Sequence, residues 1–328
     1  MKLAIIGTGM IVPVTLEAIE QIENITVTSI FARPHSLERG KEIAIQFSIP
    51  MVYTDYEKLL QTDECDTVYI ANVNSVHFDY AKKALQAGKH VILEKPCCAH
   101  SWQVRELMHL AQKKHLFVFE AVTNLHMPNF HHIKEDIKKI GNIKLIQANY
   151  SQYSSRYNAY KKGEVQPAFN PVLYGGALHD INIYNLNLVV ALFGEPLAVQ
   201  YNANIGFNGV DTSGTVQLKY EDFYAHCTGA KDSESPSHFT IQGDLGCIEA
   251  HGPTGKLNDY TFYHYETKKE THHRYNEYEH HMVHEFLEFE EMLRTNDYAT
   301  MKKGLHTSIR VMEIVELSAQ SAGITYGE

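Results

Sequence analysis

The sequence lacks several features that would place it in other classes of protein. Its 328 residues carry 29 Lys and Arg against 39 Asp and Glu, a formal net charge of -10. No run of basic residues offsets this charge, which argues against a nucleic-acid partner because binding to phosphate backbones requires clustered positive charge. The five cysteines form no CxxC pair, so we expect neither a disulfide framework nor a zinc site.

Long apolar runs are also missing. No stretch approaches the ~20 residues that a helix needs to span a bilayer. The apolar residues at the start run directly into Gly7, without the longer apolar region and cleavage site of a signal peptide. We therefore expect a cytoplasmic protein with no membrane partner.

What the chain does have is a regular alternation of β-type and helical patterns over its first 121 residues. Such alternation predicts a doubly wound parallel sheet of the Rossmann type. Ligands of these sheets bind at the carboxyl ends of the strands. We expect residues 1–121 to form a dinucleotide-binding domain. The six predicted strands are Leu3–Ile6, Ile25–Phe31, Val52–Tyr53, Thr67–Ala71, His90–Leu93 and Leu116–Phe119.

The alternation stops after residue 121. Several β-type runs follow one another between residues 198 and 265, which predicts a large, open and mostly antiparallel sheet in an α+β domain. This second, substrate and dimerisation domain is expected to span residues 122–328, and packing of its terminal helix back on the first domain stays open. The tyrosine-rich segment 154–169 is predicted to be a loop over a site.

A glycine turn follows the first predicted strand and opens a helix. One glycine allows the turn, the next lets the backbone approach a pyrophosphate, and the helix N-terminus stabilises the negative charge. The third small position of this fingerprint is occupied by Val12, so the motif is imperfect. The predicted cofactor-binding turn consists of Gly7, Thr8, Gly9, Met10 and Ile11.

The end of the second predicted strand bears on the choice of cofactor. NAD sites usually place Asp or Glu there, whereas this chain has Arg33 and, three residues later, Ser36. An arginine can bind a 2′-phosphate and stack on adenine. We therefore favour NADP(H), with NAD(H) as the alternative.

Two further motifs supply candidates for catalysis. Lys95, in Glu94-Lys95-Pro96, follows the fifth predicted strand, where it can reach a bound cofactor or substrate. Asp180 and Tyr184 are four residues apart on a predicted helix and share a face. A phenol titrates near 10, and a neighbouring ammonium such as Lys95 favours the phenolate. The set suits proton transfer coupled to hydride transfer, with Tyr184 exchanging the proton and Asp180 positioning the tyrosine or a substrate hydroxyl.

The order of these motifs resembles that of the Gfo/Idh/MocA oxidoreductases. The glycine turn is followed by Glu-Lys-Pro and then by Gly-Gly-x-x-x-Asp-x-x-x-Tyr, which ends at Tyr184. Residues 71–77 resemble the family's Ala-x-Pro-Asn-x-x-His segment, and residues 312–323 its terminal helix. Tyr184, where many members have histidine, is similar to the glucose–fructose oxidoreductase and dimeric dihydrodiol dehydrogenase branch, which is mostly NADP-linked.

The resemblance implies an NAD(P)-dependent oxidoreductase that transfers hydride to or from a hydroxyl or carbonyl of a small sugar, polyol or related metabolite. It also implies a homodimer formed through the open face of the second-domain sheet. Tyr174 and His179 are the candidates for substrate contact. Further cofactor contacts are expected from Asn72, Asn74, His77, Glu94 and Lys95.

Several positions depart from the family pattern. These departures motivate the alternative that the chain is a non-catalytic NADP(H)-binding sensor or a structural dimer with the same fold. The retained Lys95, Asp180 and Tyr184 argue against that alternative. The departures are Val12, Val73, Leu125, Ala168, Tyr174 and Asn182.

Paired histidines do not predict a metal site. His280 and His284 are four apart near the start of a predicted helix, but a metal would need a third ligand and a cleft. We read them as part of a solvated helical face.

Overall fold

The computed structural model describes residues 1–327 and divides the chain into two compact units. The first unit contains residues 1–121 and 282–309, and the second contains residues 122–281 and those from 310 onward. The stretch 282–309, placed in the second domain by the sequence analysis, therefore groups with the first unit.

The described residues contain fourteen strands in two sheets and ten α-helices. The strands are β1 (Lys2–Ile6), β2 (Thr26–Phe31), β3 (Met51–Tyr53), β4 (Thr67–Ile70), β5 (His90–Glu94), β6 (Val118–Ala121), β7 (Ile143–Ser151), β8 (Ala198–Ile205), β9 (Asp211–Lys219), β10 (Tyr224–Ala230), β11 (His238–Gly243), β12 (Gly246–His251), β13 (Tyr260–His264) and β14 (Lys269–His273). The helices are α1 (Ile11–Ile19), α2 (Leu37–Gln46), α3 (Tyr56–Leu60), α4 (His77–Gln86), α5 (Ser101–Lys114), α6 (Pro128–Asp136), α7 (Tyr157–Tyr160), α8 (Ile183–Phe193), α9 (Val283–Thr295) and α10 (Tyr298–Ala322).

The sheet of the first unit has the order β3-β2-β1-β4-β5-β6, and its strand pairs are parallel. The four residues of β4 are all buried, and so are the last four of β1 and of β5. Continuous apolar strands are expected where helices cover both faces of a parallel sheet. The predicted doubly wound sheet is confirmed. Its strand order reverses between β1 and β4, and ligands of such sheets bind at this switch point.

The sheet of the second unit has the order β14-β13-β12-β11-β7-β10-β9-β8. Among its described strands, β7 and β10 form the one parallel pair, and the others pair antiparallel. Burial alternates along β11, as expected for a sheet that packs on one face. Helix α8 packs against β7 and β10. The predicted large, mostly antiparallel sheet is confirmed.

The segment 154–169, predicted as a loop over a site, contains a short helix and a buried aromatic cluster. It contains the short helix α7, and Tyr160 and Phe169 pack with Val210 in a small buried cluster. The rings of Tyr160 and Phe169 are 4.8 Å apart, and the Tyr160 hydroxyl donates to Asn208 Oδ1 at 2.7 Å. Tyr160 and Phe169 are therefore core residues, whereas residues 161–167 of the same segment are exposed.

In residues 1–327, no helix is both long and apolar enough to cross a membrane.

Candidate active site

The glycine turn of the first unit brings two strand ends unusually close together. Gly7 has a φ of +129°, and a Cβ there would lie 2.9 Å from both Ala71 O and Asn72 Oδ1. Only glycine tolerates both the backbone angle and this approach. The buried Nδ2 of Asn72 has no hydrogen-bond partner. A close backbone turn beside an unused amide donor fits a bound dinucleotide.

The rest of the turn is open to solvent. Gly9 and Met10 are exposed, and Thr8 and Ile11 are half-buried. Val12 is fully buried, and its N–H donates to Gly9 O at 3.1 Å. Its extra methyl groups therefore lie in the core and not in the exposed turn.

Arg33 is exposed directly after β2, at the carboxyl edge of the sheet. The Ser36 hydroxyl and N–H both donate to Arg33 O, at 3.2 and 2.8 Å, which closes a turn of 3-10 helix. A second arginine nearby, Arg39, pairs with Glu42 at 3.1 Å. Arg33 therefore lies exposed at the carboxyl edge of the first-unit sheet, whereas the side chain of Arg39 pairs with a residue of its own helix.

His77, predicted to contact the cofactor, is fully buried at the start of α4. Its ring nitrogens lie 3.0 Å from Pro96 O and 3.0 Å from Asn72 O. Burial lowers the pKa of His77, and a neutral imidazole donates to only one carbonyl at a time. Asn74 lies in the intervening 3-10 turn. His77 therefore bridges the loop after β4 and the turn after β5, and any effect on a cofactor would act through those backbones.

Glu94 and Lys95, at the end of β5, differ in burial. Glu94 is buried and accepts a hydrogen bond from the Tyr69 hydroxyl, which also lies 3.0 Å from Thr15 Oγ1. Burial raises the pKa of Glu94, and the charge of Lys95 opposes the rise. Lys95 itself is half-buried and precedes a cis bond to Pro96.

A second buried carboxyl, Glu285 on α9, lies in the same unit. Neither of its side-chain oxygens has a hydrogen-bond partner, and the residue has no exposed surface. Burial raises the pKa of Glu285 well above its usual 4.5, and the charges of Glu94 and Glu288 add to the rise. No sequence pattern indicated that Glu285 is buried, since a glutamate in the first turn of a helix is ordinarily solvated.

In the second unit, Asp180 and Tyr184 are the two residues that reach solvent from an otherwise buried stretch. Every other residue between 175 and 190 is buried. The helix begins with a π-helical turn, Leu178–Asn182, and continues as α8. Such turns are frequent at functional sites. Asp180 lies in the π turn and Tyr184 in the first turn of α8.

A buried aspartate fixes the start of this helix. Asp211 accepts from the N–H of Leu178 at 2.6 Å and from the hydroxyls of Tyr201 at 2.8 Å and Tyr326 at 2.6 Å. Gly176 has a φ of +113°, and a Cβ there would lie 2.0 Å from Asp211 Oδ1. Burial raises the pKa of Asp211, and the three donors oppose the rise. No sequence pattern indicated that Asp211 would hold the start of this helix.

The two candidate substrate residues pack with Tyr326. The His179 ring is buried and lies edge-on to Tyr326 at 4.4 Å and to Tyr174 at 5.9 Å. Tyr174 has a φ of +57°, a left-handed angle that glycine adopts more readily. Tyr174, one of the departures from the family pattern, therefore occupies a backbone position that suits glycine.

Asp180 forms an ion pair that the sequence analysis did not predict. Lys231 Nζ lies 2.7 Å from Asp180 Oδ2, and 37% of the Asp180 side chain is exposed against 2% of Lys231. Lys231 Nζ also donates to Ala168 O at 2.5 Å and lies 4.5 Å from the centre of the Phe169 ring. The carboxylate thus has a buried cationic partner.

Tyr184 is held by residues from two other segments. A Cβ on Gly255 would lie 3.2 Å from the Tyr184 ring, and Thr123 Oγ1 donates to Gly255 O at 2.7 Å. The carbonyl of Tyr184 accepts from Asn124 Nδ2 at 3.0 Å. The Tyr150 ring lies 5.8 Å away.

The departure at Asn182 is accommodated by the adjacent strand. Its Nδ2 donates to Cys227 O, and its Oδ1 accepts from Asn185, both at 2.8 Å. A Cβ on Gly229 would come within 2.8 Å of the Asn182 Cβ. Glycine in β10 therefore provides the space that the larger side chain needs.

A cavity of about 640 Å³ lies in the second unit, next to Tyr184's neighbour Tyr150. Its volume is within the usual range for small-molecule sites. It is lined mostly by polar side chains: Tyr150, Ser151, Gln152, Glu234, Ser235, Ser237 and Lys256, with Pro236 and Pro253. No group of three or more His, Cys, Asp or Glu residues in the described chain is arranged to hold a metal ion.

Two family models match the chain. Residues 1–122 match the model described as the oxidoreductase family with an NAD-binding Rossmann fold, and residues 131–249 match the GFO/IDH/MocA C-terminal domain. The chain belongs to the Gfo/Idh/MocA family of oxidoreductases. The family predicted from the motifs is confirmed.

Several relatives of the family have named activities. The chain is 36% identical over 247 residues, 75% of both chains, to the scyllo-inositol 2-dehydrogenase (NADP(+)) IolU of Bacillus subtilis. It is 34% identical over 198 residues, 59% of this chain and 57% of the relative, to the trans-1,2-dihydrobenzene-1,2-diol dehydrogenase of Xenopus tropicalis. Because the relatives are dehydrogenases that act on CH–OH groups, they support an oxidoreductase and not a non-catalytic protein.

A solved structure has the same fold over nearly the whole chain. It is KijD10, a 3-ketoreductase from Actinomadura kijaniata in complex with NADP and TDP-benzene. The TM-score is 0.86 at 19% identity, with 98% of this chain and 97% of that chain covered.

Proposed function

We propose that this oxidoreductase uses NADP(H) to oxidise a hydroxyl of a small sugar or polyol to a carbonyl, or to catalyse the reverse reduction. The named relatives support this substrate class, since one oxidises an inositol and another a cyclic dihydrodiol.

One observation carries the proposal. From residue 175 to residue 190 the chain buries every side chain except those of Asp180 and Tyr184. A buried helix that exposes only a carboxylate and a phenol, on successive turns, presents an acceptor and a proton-exchanging group to one ligand.

In the oxidative direction, Tyr184 takes the proton of the substrate hydroxyl, and in the reductive direction it returns a proton to the carbonyl oxygen. Asp180 accepts a hydrogen bond from a substrate hydroxyl and so orients the substrate. Lys95 assists by favouring the phenolate form of Tyr184. Bound at the glycine turn, the nicotinamide cofactor would supply the hydride acceptor or donor.

The test is turnover with scyllo-inositol, myo-inositol and a panel of polyols and cyclic diols, followed by NADPH formation. Tyr184→Phe and Lys95→Ala should each lower kcat by about 10²-fold or more, while NADPH binding stays near wild type. The matched controls are Tyr275→Phe and Lys138→Ala at exposed positions. Wild-type rates in Tyr184→Phe would contradict the proposed proton transfer, and no turnover on any panel member would favour the non-catalytic alternative.

Cofactor preference is tested by titration with NADPH and NADH, observed by energy transfer from Trp102. Because a charge-assisted phosphate contact contributes about 1.5–3 kcal/mol, Arg33→Ala should weaken NADPH binding by about 10- to 100-fold and leave NADH nearly unchanged. Arg39→Ala is the control, since Arg39 pairs with Glu42. Equal losses in both variants, or tighter binding of NADH by the wild type, would contradict the assignment of Arg33.

We also propose that the protein is a homodimer that associates through the open face of the second-unit sheet. Side chains such as Gln147, Thr228 and Thr240 alternate with buried neighbours along their strands and are partly or fully exposed. Sedimentation should give twice the chain mass of 37.4 kDa. Thr240→Arg should shift the mass towards that of one chain, whereas Gln21→Arg should not. A single-chain mass for the wild type would rule the dimer out.

A further inference from the structure

A lysine buried beside the candidate active site has no role in the mechanism described so far. Only 2% of the Lys231 side chain is exposed. Its ammonium group contacts Asp180 Oδ2 at 2.7 Å, Ala168 O at 2.5 Å and the face of Phe169 at 4.5 Å. A buried ammonium persists only when it is paired and hydrogen-bonded.

The backbone of Lys231 is held as firmly as its side chain. Its N–H donates to Thr212 O at 2.9 Å, and its carbonyl accepts from the N–H of Ser154 at 2.9 Å. Lys231 follows β10 directly, so a strand end fixes where the ammonium lies. Asp180, in contrast, is on a π-helical turn with more than a third of its side chain exposed.

We infer that Lys231 is a positioning residue for Asp180: it holds the carboxylate ionised and in one orientation, so that Asp180 acts as a hydrogen-bond acceptor for a substrate hydroxyl. The inference rests on the proposed function, because the orientation of Asp180 matters to turnover only if Asp180 contacts the substrate.

The physical reason is the asymmetry of the pair. One oxygen of the carboxylate is held by a cation that solvent does not reach, so the pair is screened less than a surface ion pair. A carboxylate that is held ionised accepts hydrogen bonds and cannot donate a proton. Tyr184 is then the proton-exchanging group of the two exposed side chains, and Asp180 selects substrates that offer a hydroxyl donor.

Other ionisable groups surround this pair. His179 lies in the same π turn as Asp180, and behind it Asp211 interacts with Lys231 and accepts from Tyr326. Lys231 is the permanently cationic side chain that contacts the Asp180 carboxylate. Variants of Lys231 should therefore change the ionisation of Asp180 more than variants of these neighbours.

The experiment measures kcat, KM and the pH profile of kcat/KM with NADP+ and scyllo-inositol as the probe. Without the buried ammonium the protonated carboxyl is favoured, so in Lys231→Met the acidic limb of the profile should move to higher pH by about one unit or more. The misplaced carboxylate should lower kcat roughly 10²-fold. Lys231→Arg keeps the charge and should leave the acidic limb near its wild-type position. Lys138→Met, at an exposed position of the same unit, should behave as wild type.

The outcomes separate this inference from the proposed function. If Asp180→Asn keeps wild-type rates, the role of Asp180 in the proposed function fails. If Asp180→Asn is impaired but Lys231→Met keeps both the rate and the pH profile, only the inference about Lys231 is overturned. The same holds if Lys231→Arg shifts the profile as far as Lys231→Met does.

A double variant covers the case in which Lys231→Met does not fold. Asp180→Asn combined with Lys231→Met removes both charges of the ion pair, and its kcat should equal that of Asp180→Asn alone. A further loss of more than ~10-fold would show that Lys231 acts independently of Asp180 and would overturn the inference. Near-ultraviolet circular dichroism and NADPH binding confirm that each variant is folded.

Discussion

Replacing Glu285 by methionine should stabilise the protein, and the gain should increase with pH. Glu285 is fully buried, and neither of its carboxyl oxygens has a hydrogen-bond partner. Leaving a buried polar group unsatisfied costs about 1–3 kcal/mol. Methionine has a similar volume, so the core should accept it with little strain.

The sign of the pH dependence follows from the direction of the pKa shift. Burial and the charges of Glu94 and Glu288 raise the pKa of Glu285 well above its usual 4.5, so the folded state binds its proton more tightly than the unfolded chain. The stability contributed by that proton is complete below the unfolded pKa and is lost as the pH rises through the folded pKa. The free energy of unfolding of the wild type should therefore fall by up to ~1.4 kcal/mol per pH unit in this range. The same contribution is absent from Glu285→Met.

Urea unfolding measures the effect at a series of pH values from about 5 to about 8. The lower end of this range lies just above the pKa of glutamate in the unfolded chain. Trp102 is the single tryptophan and lies on α5 in the same unit as Glu285, so its fluorescence reports that unit. The difference between Glu285→Met and wild type should widen by up to ~2.7 kcal/mol over two pH units. Glu291→Met, at an exposed position of the same helix, is the control and should give a flat difference. A flat difference for Glu285→Met as well would refute the reasoning.

Three further substitutions test other parts of the structure. Gly7→Ala should abolish measurable NADPH binding because its Cβ would collide with backbone, whereas Gly88→Ala, also at positive φ but with open space around it, should cost only ~1 kcal/mol of stability and bind normally. Tyr326→Phe removes one of three donors to buried Asp211 and should lower the free energy of unfolding by about 1.5–3 kcal/mol in urea titrations. Gly229→Ala should displace Asn182 and lower both the melting temperature and kcat. An unchanged kcat would show that the packing of Asn182 against Gly229 does not affect the active site.

Much of the first unit could be predicted from local sequence patterns. Its strands are short apolar runs between helical patterns, and the parallel order follows because both faces are covered. The glycine at position 7 was predictable because the turn after β1 needs an angle that other residues rarely adopt. The grouping of residues 282–309 with this unit was not, because nothing local in α9 indicates which sheet its apolar face contacts.

The second unit shows where sequence patterns stop. The spacing of Asp180 and Tyr184 predicted that they would be presented together, and both reach solvent from one buried helix. The contacts that hold this helix join residues far apart in sequence: Asp211 is 33 residues from Leu178. The side-chain periods of helices and strands, 3.6 and 2 residues, do not indicate which distant residues contact each other. The burial of Tyr160 was not predicted for the same reason, since its packing partner Val210 comes from a distant turn.

Lys231 is the clearest case of a residue whose chemistry is decided by its surroundings. In the sequence it stands between Ala230 and Asp232 in a polar stretch, where a lysine is ordinarily solvated. In the structure its ammonium group contacts the Ala168 carbonyl and the Asp180 carboxylate, which are both distant from it in the sequence. Removing the Asp180 carboxylate would leave the buried Lys231 ammonium uncompensated, which costs about 3–5 kcal/mol, whereas removing Lys231 leaves a carboxylate that reaches solvent. The two residues are therefore coupled in stability as well as in chemistry. A substitution at position 231 is expected to change the ionisation and orientation of Asp180, although the two residues are far apart in the sequence.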